Sequence, residues 1–320
     1  MLEIDRLSIG FQGPGGLMMA VQDFSMTLNR GEILGLVGES GSGKTLVSLA
    51  MMNLLPPAAR IVSGSIRLDG ENLPDRNAAA WRKLRGKRIA MIFQDPMASL
   101  DPVFTCGQQI IEAIQLHAPL SRVAAREQAR ALLERVRIAD PARCLGAYPH
   151  ELSGGMCQRV MIAMALACHP EIIIADEPTT ALDVTVQAEV LGLLRELNRS
   201  LGATILLITH DLGVVYEIAD RVAVMYAGAL MEVAPTAALF DHPRNPYTHA
   251  LIASVPVLGE RRTRLAAIDG RVPPVGAMPP GCRFAPRCAA AAEICHAEQP
   301  PLMAGEESHF LRCHLGGGAS

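Results

Sequence analysis

Gly38-Glu39-Ser40-Gly41-Ser42-Gly43-Lys44-Thr45 is the stretch on which the rest of the sequence hangs. The apolar run 33–37 before it reads as a buried strand, and 46–52 after it reads as a helix. Strand, glycine-rich turn and helix in that order give the pattern G-x-x-x-x-G-K-[S/T] a physical meaning as a phosphate-binding loop. Glycines let the backbone curl so that successive N–H groups point at phosphate oxygens. The following helix adds its unsatisfied N–H groups and the positive end of its dipole. Lys44 is placed to reach β- and γ-phosphates, and Thr45 to offer a hydroxyl to Mg²⁺. The plain alternative, a Gly/Ser turn with an exposed lysine, is weakened by the flanking strand and helix.

Composition sets the outer bounds. The 320 residues suit one large domain or two ordinary ones, and half are apolar, enough for a sizeable core. A net charge of −3 argues against a general electrostatic binder of nucleic acid. Lysine occurs only at Lys44, Lys83 and Lys87; other basic residues are arginine or histidine. The first residues carry charges where a signal peptide would have an apolar core. No apolar run approaches the roughly 20 residues a bilayer span needs. The expectation is a soluble, cytoplasmic chain, in which clustered cysteines suggest metal rather than disulfides.

Along the chain, 2–9 and 19–28 alternate as half-buried strands around a turn at 12–16. With a further strand and turn at 66–70 they predict a small antiparallel sheet. Residues 89–93 read as a buried strand. Helical spacing then takes over at 104–116, 122–136 and 158–167, punctuated by Pro119, Pro141 and Pro149. This predicts a mostly helical insertion over about 95–165. Strands return at 171–176 and 203–209, with a helix between them capped by Asp183. The alternation predicts a parallel α/β sheet. Residues 221–226 and 229–233 read as a closing pair of strands. A short helix follows at 248–254, and the proline-rich 272–281 as a linker or arm.

Two further stretches carry chemistry. Ile172-Ile173-Ile174-Ala175-Asp176-Glu177 puts two carboxylates at the end of a buried strand. Asp176 would hold Mg²⁺, directly or through water, and Glu177 could polarise an attacking water. Leu152-Ser153-Gly154-Gly155-Met156 opens a helix, where Ser153 can cap or donate to a phosphate and the glycines leave N–H groups accessible. Alone, each has a bland reading, as a strand-ending turn and a Ser/Gly helix start.

Together these stretches resemble the ATP-binding subunit of ABC transporters. The loop 38–45, Gln94, the LSGG at 152–155, 172–177, Ala181-Leu182-Asp183 and Thr209-His210-Asp211 follow that family's order and approximate spacing over about residues 1–235. The resemblance implies a P-loop NTPase α/β fold with an antiparallel β subdomain and a helical subdomain. It implies that Gly38, Glu39, Ser40, Gly41, Ser42, Gly43, Lys44 and Thr45 cradle ATP. Gln94 would sense Mg²⁺, joining Thr45 and Asp176 around it, and face a membrane partner. Glu177, His210 and Lys44 would be catalytic, His210 contacting the γ-phosphate. Ser153, Gly154 and Gly155 would bind ATP held by another subunit, and Asp183 would cross the dimer interface. Phe11 resembles the aromatic that stacks on adenine, a contact worth on the order of 1 kcal/mol, against plain packing.

A finer resemblance lies in 92–102, 148–156, 175–187 and 242–248, which look like the dipeptide/oligopeptide/nickel permease branch. Met156, where many relatives have Gln, resembles the D-type subunit of dipeptide permeases. This implies a heterodimer with an F-type ATPase subunit, two membrane permeases and an extracytoplasmic solute-binding protein. The chain would lie peripherally on the cytoplasmic face of the membrane, with no nucleic-acid partner. It would hydrolyse ATP to ADP and phosphate to drive uptake of dipeptides or oligopeptides, or alternatively of a nickel chelate or glutathione. A soluble, non-transport ABC ATPase and a scaffold cassette without turnover are the rivals. The single cassette and the intact Lys44, Asp176, Glu177 and His210 speak against them.

Residues 236–320 form a separate expectation. Their cysteines run C-x5-C-x6-C, then Cys313 after a longer loop. This matches neither paired CxxC zinc knuckles nor the bacterial ferredoxin run, so spacing alone leaves the metal, and plain packing, open. The segment 281–288, with Cys295 and Cys313, resembles the C-terminal extension of D-type subunits. That resemblance implies a [4Fe–4S] cluster on Cys282, Cys288, Cys295 and Cys313, with Zn²⁺ as the alternative. Arg283 and Arg287 are expected to offset thiolate charge, and His296, His309 and His314 to be solvated. Cys106, Cys144, Cys157 and Cys168 look scattered and structural.

Overall fold

The computed structural model describes residues 1–13, 16–74, 77–180, 182–255, 268–305 and 308–316. The elements run β1 (Leu2–Gly13), β2 (Gly16–Leu28), β3 (Ile33–Val37), α1 (Lys44–Met51), β4 (Ala59–Leu68), β5 (Glu71–Asn72), α2 (Ala78–Leu84), β6 (Ile89–Ile92) and α3 (Pro96–Ser99). Next come α4 (Cys106–His117), α5 (Arg122–Arg135), α6 (Pro141–Gly146), α7 (Gly154–Ala165), β7 (Ile172–Asp176), α8 (Val184–Leu201), β8 (Thr204–Ile208) and α9 (Leu212–Ile218). The chain closes with β9 (Arg221–Tyr226), β10 (Ala229–Pro235), α10 (Thr236–Asp241), α11 (Pro246–Ala253), α12 (Glu293–Ala297), β11 (Met303–Ala304) and β12 (Phe310–Leu311). Two compact units result, one of residues 1–73 with 207–320 and one of residues 74–206.

The first unit holds the predicted antiparallel sheet, in the order β2-β1-β4-β5. Leu2 pairs with Leu28 on one side and with Leu68 on the other. Register shifts along β1 break the strict alternation, so Leu7, Ser8, Ile9 and Gly10 are all buried in succession. The turn predicted at 12–16 includes Pro14 and Gly15, which lie outside the described residues. β4 begins at Ala59, well before the predicted 66, because its first half pairs with β1 through the backbone while its side chains stay largely exposed. Backbone pairing of this kind leaves no apolar pattern to read.

In the same unit β3 lies parallel to β9, with Leu34 opposite Arg221. β9 and β10 form the predicted closing pair, antiparallel around Ala227-Gly228. β3 is buried along its whole length, the burial that a parallel strand covered on both faces requires. β12, from the cysteine-bearing tail, pairs with β10 through Glu232 and Val233.

In the second unit β6 and β7 pair in parallel, Ile89 opposite Ile172 and Ile92 opposite Ala175. α4 carries a capping box, in which the Thr105 hydroxyl accepts from Gln108 N–H and the Gln108 side chain accepts from Thr105 N–H. α7 starts at Gly154, where the Ser-Gly-Gly stretch predicted a helix start: Ser153 Oγ accepts from Met156 N–H at 3.3 Å, so the cap begins the helix ahead of the apolar spacing that sets in at 158. Asp183 caps α8 as predicted, its carboxylate accepting from Val186 N–H at 2.9 Å. The short helices α2, α9, α10 and α12 were not predicted; five to seven residues are too few to show a helical period.

Candidate functional site

The phosphate-loop candidate leaves β3 at Gly38, whose φ of 152° no side chain would tolerate here: a Cβ would lie 2.0 Å from the Met225 carbonyl oxygen. The loop then folds around its own lysine. Lys44 Nζ donates to Gly38 O at 2.8 Å, Glu39 O at 3.1 Å and Ser42 Oγ at 3.3 Å, and the residue is 5 % exposed. The β9–β10 turn braces the loop, Gly228 N–H donating to Ser42 O at 2.8 Å. Ser40, Gly41 and Thr45 remain exposed. Polar groups are thus concentrated at one helix start, with a cation folded among carbonyls that an anion can replace.

Phe11 is half-buried on β1, opposite Met18 of β2. His210 is exposed just past β8. Thr209 N–H donates to Leu36 O at 3.2 Å, and Asp211 caps α9, so the backbone on both sides of His210 is fixed within this unit.

The second unit gathers the carboxylates. Asp176, 3 % exposed, ends β7. Glu177 follows with a left-handed φ of 48°, an uncommon conformation for glutamate that ends the strand abruptly. Its Oε2 accepts from Gln94 Nε2 at 2.9 Å and from Thr180 Oγ1 at 2.9 Å. The register of β6 on β7 makes this meeting possible, since Gln94 and Glu177 each lie two residues beyond the pair Ile92 and Ala175. Thr180 was missed from sequence; its hydroxyl three residues after Glu177 was the available signal.

Ser153 and Gly154 are exposed, and a Cβ on Gly154 would meet nothing within 4 Å. A Cβ on Gly155 would come 3.1 Å from Val186 Cγ1, so the glycine lets α7 pack close to the start of α8. Asp183 and Val184 at that start are exposed, Val184 at 83 %. Ala181 of the predicted Ala-Leu-Asp stretch lies outside the described residues. The predicted residues therefore divide: Phe11, 38–45 and His210 in the first unit; Gln94, 153–155, Asp176, Glu177 and Asp183 in the second.

The tail brings Cys282, Cys288, Cys295 and Cys313 to the wall of one cavity of about 20 Å³, with Phe284 and Leu315. None of the four is in a disulfide. Burial pushes the Cys282 and Cys288 thiols up. Among the described residues, no group of three or more His, Cys, Asp or Glu is set to hold a metal ion.

The arginines depart from expectation. Arg283 donates to the Ala227 carbonyl and, at 2.7 Å, to Gln22 Oε1, rather than serving the thiols. Burial, then the charge of Arg312, push it down to about 10. Arg287 pairs with Glu39 and the Tyr226 hydroxyl; burial opposes its charge, and these two partners outweigh burial and hold it up. His309 is buried instead of solvated, its Nε2 2.7 Å from Glu232 Oε1, where it joins the Arg244 and Asn245 N–H groups around a fully buried carboxylate. His296 is exposed as expected. Three of the other cysteines are not scattered. Cys106 and Cys144, far apart in sequence, come together beside Cys157, and the Cys144 contact with burial pushes Cys106 up.

Residues 21–180 match the ABC transporter family, and residues 231–295 match the oligopeptide/dipeptide transporter C-terminal region. A Brucella abortus (strain 2308) protein named for peptide import ATP binding is 49 % identical over 98 % of this chain and 94 % of its own length. A Sinorhizobium fredii protein named as a peptide ABC transporter ATP-binding protein is 48 % identical, with the same coverage. Among solved structures, a dimeric ATP-binding cassette in a post-hydrolysis state with ADP and Pi superposes with a TM-score of 0.67. It is 26 % identical and covers 74 % of this chain and 99 % of its own.

Proposed function

Because the chain belongs to the ABC transporter family of ATP-binding subunits, we propose that it is the ATPase that drives import of dipeptides or oligopeptides. The observation that carries the peptide assignment is the tail, whose residues 231–295 match the oligopeptide/dipeptide transporter C-terminal region. The near full-length relatives named for peptide import support it.

In this reading residues 38–45 hold the phosphates of ATP, and Phe11 stacks on the adenine. Lys44 exchanges its carbonyl partners for β- and γ-phosphate oxygens. Mg²⁺ fits an exposed Thr45 hydroxyl, the Gln94 amide and the Asp176 carboxylate by donor chemistry, and would neutralise phosphate charge. Glu177 orients and polarises the attacking water, whose oxygen bonds the γ-phosphorus as the bond to the β–γ bridging oxygen breaks. ADP and inorganic phosphate leave. Gln94 and Thr180 keep the Glu177 carboxylate aimed until a nucleotide arrives. His210 contacts the γ-phosphate.

Ser153, Gly154 and Gly155 are assigned to the ATP held by a second ATPase chain, an F-type subunit, and the exposed Asp183 to the interface with that chain. Two permeases and an extracytoplasmic binding protein make up the transporter, placing this chain peripherally at the cytoplasmic face of the membrane. Among the described residues no helix is long and apolar enough to cross it. We assign 1–235 to the nucleotide-binding domain, with its helical part at about 95–165, and 236–320 to the extension.

Four soft thiols around one cavity are the right donors for a thiolate-bound group, and Cys282, Cys288, Cys295 and Cys313 would hold a [4Fe–4S] cluster. The cavity is near the size of a water. Bound there, the group would cross-link four points of the tail.

The assignment is tested in proteoliposomes carrying the complete transporter. ATP hydrolysis is expected to rise with binding protein and a dipeptide mixture, with matching uptake. Stimulation by nickel chelates or glutathione in place of peptides would overturn the peptide assignment.

A further inference from the structure

Glu39 follows the first glycine of the phosphate loop, and both its backbone and its side chain are held by residues from the far end of the chain. Its N–H donates to the Tyr247 hydroxyl at 3.1 Å. Its carboxylate receives a two-pronged grip from Arg287, Nη1 to Oε2 at 2.7 Å and Nη2 to Oε1 at 3.1 Å. Arg287 is itself fixed. Its Nε donates to Asp269 O at 2.8 Å and its Nη2 to Ile268 O at 3.0 Å. Its guanidinium lies 5.6 Å from the Tyr226 ring centroid and 6.0 Å from that of Phe284. Only 5 % of the Arg287 side chain is exposed, against 28 % for Glu39.

A carboxylate in a loop that receives phosphates is a like charge in the wrong place. At the separations within such a loop its repulsion of a triphosphate is sizeable unless a cation cancels it. A fork-to-fork arginine pair both cancels the charge and fixes the carboxylate's direction, which a lysine would do less well.

We infer that Arg287 is a positioning residue for nucleotide binding: through Glu39 it neutralises and fixes the phosphate loop, so the tail contributes directly to ATP affinity. The inference rests on reading residues 38–45 as the ATP site. The tail is then a part of the nucleotide pocket's support rather than an appendage. Arg283 adds a second brace, since it holds the Ala227 carbonyl beside the turn whose Gly228 N–H grips Ser42.

The test uses the full chain, with binding of a fluorescent ATP analogue in Mg²⁺ and steady-state hydrolysis with the partner subunits. Arg287→Ala should weaken binding about five- to tenfold and raise KM while kcat moves less than about twofold. Adding Glu39→Gln to Arg287→Ala should recover most of the lost affinity, because the unpaired charge is gone. Arg287→Lys should fall between, and carries the test alone if Arg287→Ala does not fold. Unchanged affinity in Arg287→Ala overturns the inference. So does a double variant as weak as the single, which would make Arg287 a brace of the tail alone. Lys44→Ala separates the premise: undiminished ATP binding there would refute the loop's reading itself.

Discussion

The phosphate loop and the signature stretch are both glycine-rich helix starts, yet they are finished differently. Residues 38–45 are closed in by their own unit: Lys44 is buried among carbonyls, Gly228 grips Ser42, and Arg287 and Tyr247 hold Glu39. Residues 153–155 have a cap and a packed Gly155, but Ser153 and Gly154 face open space, and Asp183 and Val184 are exposed too. A loop that must stay shaped for phosphate is completed from within the chain. In the role proposed for it, completing the site of a second chain, the 153–155 stretch keeps its polar groups outward, where water satisfies them.

The sharpest way to break this contrast is to remove the chemistry while leaving the loop. Glu177→Gln should cut hydrolysis by about 100-fold or more, the scale of a positioned base, while ATP affinity is kept. Stopped turnover with unchanged nucleotide binding is the expected pair of results; near-normal hydrolysis would remove Glu177 from the role. Next in size is Ser153→Ala. It should lower hydrolysis by the assembled ATPase pair about tenfold and leave ATP binding by the lone chain as it was. Loss of the cap costs about 1 kcal/mol, visible as a modest fall in melting temperature. A fall in the lone chain's own ATP affinity would mean the stretch serves its own nucleotide, and the contrast would fail.

The smallest effect belongs to the tail. Cys288 follows Arg287 directly, so a disturbed cysteine cavity should reach the loop through that arginine. With the cluster proposed above in place, Cys288→Ser should lower iron and acid-labile sulfide; with or without it, the change should loosen residues after 270 to proteolysis and weaken ATP binding a few-fold, with the phosphate-loop fold intact. Zinc without sulfide in the parent protein would change the metal and keep the coupling.

Much of the cassette was legible because its signals are local. A buried run before a glycine turn, an Asp before a helix and two carboxylates after four apolar residues each depend on neighbours a few positions away. β3, α1, β7, α8 and the β9–β10 pair appeared where those signals placed them. The errors fall where partners are distant. Arg283 and Arg287 sit beside cysteines in sequence, which suggested charge compensation, but their guanidinium groups reach Ala227 and Glu39 instead. His309 looked like a tail histidine in water and proved to be the buried partner of Glu232. Cys106, Cys144 and Cys157 looked unrelated until α4, α6 and α7 packed.

By itself the sequence determined the glycine turn between β3 and α1, the carboxylate pair ending β7, the Ser153 cap of α7 and the four-cysteine spacing, because backbone conformation and helix capping answer to adjacent residues. Only the tertiary structure decided which groups face one another. Strand register put Gln94 on Glu177, and the seating of the tail put Arg287 on Glu39. Such pairings join residues 83 and 248 positions apart. No periodicity reports a contact made across that distance, because it exists only once the sheets and helices have packed.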